Sequence, residues 1–141
     1  MAITSTLTTS FKTELLTETH KYATNGNAFK LDLYTSSATM GATTTAYSTS
    51  QEVSGTNYTA GGAALTKVAP TSGGTTGFTD FADLTFGTAT VTARGCLIYK
   101  DTNSDKYVAT IDFGGDKTST AGDFTIVFPA AAASTAIIRI A

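Results

Sequence analysis

The chain of 141 residues is poor in the groups on which most enzyme chemistry is built. Cys96 is its one cysteine, which excludes an internal disulfide and any multi-cysteine zinc site. His20 is its one histidine, so a Ser-His-Asp or Cys-His pair would have to be centred on it, and no motif surrounds it. The nine Lys and Arg residues stand singly, with no basic run to neutralise phosphates, which argues against nucleic-acid binding. Charged residues make up 14% of the chain, against about 25% in ordinary globular domains. No apolar run is long enough to span a bilayer, so no membrane partner is expected. Residues 1–10 have neither a basic nor an apolar stretch, so no secretory signal is expected. Leu, Ile, Val and Phe together are scarce enough to make a packed core thin. Disorder, however, also needs a high net charge, and here it is −2.

What is abundant is small or hydroxylated. Thr, Ala, Gly and Ser fill more than half the chain, with Thr alone at 31 residues. They concentrate in residues 1–9, in residues 35–57 and in turns, while the large apolar residues fall into periodic segments. Residues 10–23 read as the only helix, with Phe11, Leu15 and Tyr22 on one face, Ser10 as N-cap and Asn25-Gly26 as the stop. After that the period changes to two. Phe29, Leu31 and Leu33 alternate with Lys30, Asp32 and Tyr34, the pattern of a half-buried strand. Further strands are expected over 58–68 (interrupted by Gly61-Gly62), 78–86, 88–99, 107–113, 124–128 and 136–141. Turns are expected at 70–77, 101–105 and 114–122. The expected fold is therefore mainly β: an antiparallel β-sandwich or jelly roll of about seven strands with one short N-terminal helix. An arm over residues 1–9 precedes a single domain over 10–141.

Few constellations suggest chemistry. Asp101, Asn103 and Asp105 match positions 1, 3 and 5 of a calcium loop, but position 6 is Lys106 where that loop needs glycine. A polar hairpin turn explains the same residues, so they remain weak metal candidates and no metal is expected. Asp80, Asp83, Asp112, Asp116 and Asp123 do not converge in the way paired-carboxylate hydrolysis requires. Cys96, in mid-strand, reads as a small buried thiol. No enzymatic activity and no cofactor are expected. Tyr47 and Tyr58 could stack on sugar rings, or simply fill core or interface.

Three stretches carry a resemblance: SFKTELLTETHKY at 10–22; FKLDLYTSSATMGATTTAYSTSQEVSGTNYTAGGAALT at 29–66; and VTARGCLIYKDTNSDKYVATIDFGG followed by FTIVFPAAAASTAIIRI near the C-terminus. The most specific parts are LYTSSAT at 33–39 and EVSGTNYTAGGAALT at 52–66. Together they resemble a group of small virion structural proteins of tailed bacteriophages, over nearly the whole chain. The resemblance implies a particle component, a capsid decoration (cement) protein made in the host cytoplasm and placed on the outer surface of the virion. Its partners would be the major capsid protein or other virion proteins, and it would be a homo-oligomer, a trimer by analogy alone. A tail, baseplate or head–tail junction component is the first alternative. A host-surface or carbohydrate-binding module on the virion is the second. Because the arm and the 35–57 segment hold few core residues, they are expected to contact neighbouring subunits, with Ile3, Leu7, Met40, Tyr47, Val53 and Tyr58 as interface candidates.

Overall fold

The computed structural model describes residues 2–44, 49–102 and 105–141. Among these residues two antiparallel sheets and one short helix account for the regular structure, a β-sandwich as expected. The strands are β1 (Thr6–Leu7), β2 (Phe29–Tyr34), β3 (Ala63–Ala64), β4 (Lys67–Gly73), β5 (Thr76–Phe81), β6 (Leu84–Lys100), β7 (Lys106–Ile126) and β8 (Ile138–Ile140). The large sheet has the order β1-β7-β6-β2-β3 and the small one β4-β5-β8. Phe29, Leu31 and Leu33 of β2 and Cys96 and Ile98 of β6 share one core with Phe81 and Ile138 of the small sheet. Among the described residues no helix is long and apolar enough to cross a membrane.

The helix, α1, is shorter than its sequence suggests, covering Thr9–Leu15 rather than 10–23. Its N-cap is Thr8, not Ser10: the buried Thr8 hydroxyl accepts from the Phe11 N–H at 3.2 Å. The early stop has a local cause. The Thr17 hydroxyl donates to the Glu14 carbonyl at 3.1 Å, which offers the backbone an alternative to further helix. Glu18 then takes a left-handed φ of 58°. The chain beyond runs without regular structure, and Tyr22 still reaches the core, stacking on Phe29 with ring centroids 4.3 Å apart.

The largest departure lies in the second half. The segment 114–122 is not a turn, and 88–99, 107–113 and 124–128 do not end where expected. β6 and β7 form one long ribbon of 17 and 21 residues, from Leu84↔Ile126 to Lys100↔Lys106. Its glycines are absorbed at three of the four places where the register shifts. Residues 70–77 are likewise not a connector. They supply most of the β4–β5 hairpin, whose tight turn carries Gly74 at φ 60°.

β2 is also buried on both faces rather than one. Asp32 and Tyr34 are as inaccessible as Leu31 and Leu33. A second cluster of Ile3, Tyr34, Ala38, Met40, Leu97, Tyr99 and Tyr107 covers the outer face of the large sheet. The cover is made by the arm and the segment after β2. Thr4 N–H donates to the Met40 carbonyl at 2.9 Å, Met40 N–H to the Ala2 carbonyl at 3.1 Å, and Thr9 N–H to the Ala42 carbonyl at 2.7 Å.

Candidate functional site

The arm and residues 35–44, expected to meet neighbouring subunits because they hold few core residues, are packed on their own sheet in this third layer. Ile3, Met40, Val53 and Tyr58 are all buried, and Leu7 is half-buried against the main core. Ile3 packs where the large sheet leaves room: a Cβ at Gly95 would collide with the Ile3 side chain and the Ile111 carbonyl. Tyr58 is no exposed platform for a sugar. Its hydroxyl accepts from the Leu33 N–H and donates to Glu52 Oε1, both at 2.8 Å. Tyr47 lies outside the described residues.

Under this layer sits the most unusual polar group of the molecule. Asp32 is fully buried on the outer face of β2. Its Oδ2 accepts from the Tyr34 hydroxyl at 3.0 Å, and the Tyr34 and Tyr107 hydroxyls lie 3.2 Å apart. Asp32 Oδ1 has no hydrogen-bond partner among the described residues. Burial pushes its carboxyl up to about 8, opposed by the Tyr34 hydrogen bond and reinforced by the charge of Glu52. Close by, Tyr99 donates to the Gly61 carbonyl at 2.6 Å, and Gly61 N–H donates to Glu52 Oε1 at 2.7 Å. Gly61 and Gly62 both have positive φ, so the paired glycines turn the chain tightly across β2. Alternation along β2 gave Asp32 the look of a solvent-facing residue. The three tyrosines spaced around it, Tyr34, Tyr99 and Tyr107, were the signal that its face is covered.

Two other groups of charges lie away from Asp32. His20 Nε2 lies 3.6 Å from Glu14 Oε1, and Lys106 Nζ lies 3.1 Å from Glu14 Oε2. Burial lowers the His20 pKa, partly offset by Glu14. Asp112 binds Arg94 Nε at 2.8 Å and accepts from the Gly114 N–H at 3.0 Å, and these bonds hold its carboxyl below the usual range. The remaining carboxylates of interest serve the backbone: Asp83 accepts from Phe128 N–H at 2.8 Å and Asp123 from Thr88 N–H at 3.1 Å. At the β6–β7 turn, Asp101 is exposed and its N–H donates to the Ala28 carbonyl at 2.9 Å, while Asp105 has a left-handed φ of 46°. Asn103 lies outside the described residues. Among the described residues no three His, Cys, Asp or Glu side chains are grouped to hold a metal.

The surface offers two features of a different kind. The outer face of the ribbon is lined with threonine, and Thr85–Thr125 and Thr92–Thr118 face each other across the strands with hydroxyls 2.9 Å apart. On the opposite face, an apolar groove of about 600 Å³ runs beside β7, lined by Ile111, Phe113, Phe124, Ile126, Phe128 and Ile137. No protein-family model, no curated protein and no solved structure matches the chain.

Proposed function

We propose that the chain is a structural component of a bacteriophage virion, a capsid decoration protein that stabilises the head by contacts between capsomers. The observation that carries this reading is the threonine face of the β6–β7 ribbon. It is paired strand to strand, hydroxyl-rich and exposed. A protein that adds onto a shell needs such a surface more than it needs a cleft. Threonine suits it because its methyl packs while its hydroxyl keeps a hydrogen bond in water or at a contact. The sequence resemblance to small virion proteins points the same way. The arm and the segment after β2 are spent on the chain's own sheet, so in this reading the ribbon replaces them as the contact surface. The test is quantitative mass spectrometry of purified virions. A copy number comparable to that of the shell protein supports decoration. A much lower copy number assigns the chain to the tail, baseplate or head–tail junction. Absence from the particle overturns the reading.

A further inference from the structure

The outer half of β7 is a free sheet edge. β1 pairs with β7 only at Thr110 and Ala109, and beyond Asp112 the described residues place no strand on that side. Residues 113–116 bulge opposite Arg94 alone, so the continuous unpaired stretch is 117–126, roughly 10 residues, or about 30 Å of backbone donors and acceptors. A long open edge recruits another strand unless it is blunted. Here the apolar groove lies directly beneath it.

We propose that this edge pairs with the same edge of a second copy, antiparallel about a two-fold axis that passes between Thr120 and Ala121. The segment is self-complementary in that register. Its groove-facing residues are Lys117, Ser119, Gly122 and Phe124, the partners of Ala93, Val91, Ala89 and Phe86 in β6. The axis sets Lys117 opposite Phe124 of the copy and Ser119 opposite Gly122, so larger side chains meet smaller or flexible ones. The Lys117 ammonium, which forms no ion pair among the described residues, comes over an aromatic ring, a favourable contact for a cation. On the other face the axis sets Thr118 opposite Asp123, a hydroxyl against a carboxylate, and no two like charges face each other. Ala121 has a left-handed φ of 46° and bends the strand beside the axis, so each copy's bend is met by the other's. The closed contact removes both free edges and covers both grooves. It goes beyond the virion reading and does not depend on it.

Full-length protein tests this directly. Light scattering with size-exclusion chromatography should give a dimer at micromolar concentration; a monomer or a trimer under those conditions overturns the proposal. Thr120 of the two copies would stand about 6 Å apart between Cα atoms, within disulfide reach. Thr120→Cys should therefore form a disulfide-linked dimer on mild oxidation. Thr92→Cys, on the inner strand, should not. The native Cys96 is fully buried and does not compete. Equal trapping of the two variants, or of neither, overturns the proposal. A second pair guards against local misfolding. Thr118→Glu and Thr92→Glu each remove the same 2.9 Å hydroxyl contact, but only Thr118→Glu sets a negative charge against Asp123 of the copy. Two such repulsions per dimer should weaken association about tenfold relative to Thr92→Glu. Equal effects of the two substitutions refute the register.

Discussion

Asp32→Asn isolates the consequence of burying a carboxyl beneath the third layer. In the unfolded chain Asp32 ionises near the ordinary value of about 3.9. In the folded chain burial pushes it up to about 8. Between these values the folded state holds one more proton than the unfolded state, so stability falls as pH rises. The slope from this one group is about −1.4 kcal/mol per pH unit. Over the whole window that is roughly 5–6 kcal/mol, a large share of the 5–15 kcal/mol typical of a domain. Below pH 4 the contribution is fully present, and above pH 8 it is gone. Asparagine cannot ionise, so the slope should vanish. It keeps an acceptor for Tyr34 but sets an amide N–H where Oδ1 has no partner, at a cost of about 1–3 kcal/mol. The two stability curves should therefore cross between about pH 4.5 and 6, and at pH 8 the variant should be the more stable by roughly 2–4 kcal/mol. Urea denaturation followed by far-UV circular dichroism, at half-unit steps from pH 4.5 to 8.5, measures both curves. Titration of His20, whose folded pKa is lowered, is common to both proteins and cancels in the difference. Parallel curves would refute the argument, because they would mean that Asp32 is ionised in the native state or carries its charge in contact with water.

Three further outcomes follow from the packing. Gly62→Ala should destabilise by more than about 3 kcal/mol in thermal unfolding, since its φ is 73° and a Cβ would overlap the Leu31 carbonyl; Gly74→Ala, at φ 60° in open space, should cost only about 1 kcal/mol. Deleting residues 2–9 should cost at least about 3 kcal/mol in chemical denaturation, because it removes the Thr8 cap and the buried Ile3; an unchanged midpoint would mean that the arm is dispensable to the fold. Cys96 should react with a thiol reagent only as fast as the protein unfolds, since burial removes it from solvent and pushes its thiol up; rapid labelling in native buffer would contradict its place in the core.

The mainly β class was legible because Phe29, Leu31 and Leu33 keep a period of two and the tyrosines and phenylalanines recur in short runs. The helix was overread because Phe11 and Tyr22 do meet, with rings 6.2 Å apart, but through a chain that leaves the helix after Leu15. A hydrophobic face identifies partners, not the backbone path between them. The ribbon was missed because Gly114, Gly115 and Gly122 read as breakers. In a sheet the same residues can be taken up as irregularities while pairing continues on either side, as Thr92↔Thr118 and Phe86↔Phe124 do. Free edges leave no local mark at all, since pairing depends on which strands lie next to one another in space.

The burial of Asp32 and the scarcity of large residues in the arm have a common explanation. A layer with few large side chains cannot hold itself down by apolar area alone. The arm and residues 35–44 are held instead by backbone hydrogen bonds to each other and to the sheet. Thr8 N–H donates to the Val108 carbonyl at 3.0 Å, and the Thr110 hydroxyl donates to the Thr4 carbonyl. Small side chains permit this because they let two backbones approach closely. The surface beneath must then offer polar groups as well as apolar ones, and the tyrosine hydroxyls, Thr110 and a protonated Asp32 meet that requirement. An apolar residue at position 32 would remove the pH dependence but leave the Tyr34 hydroxyl without its carboxyl partner. The threonine-rich composition is therefore a condition for a third layer on a thin sandwich, and the same residues left over on the ribbon form its hydroxyl-rich outer face.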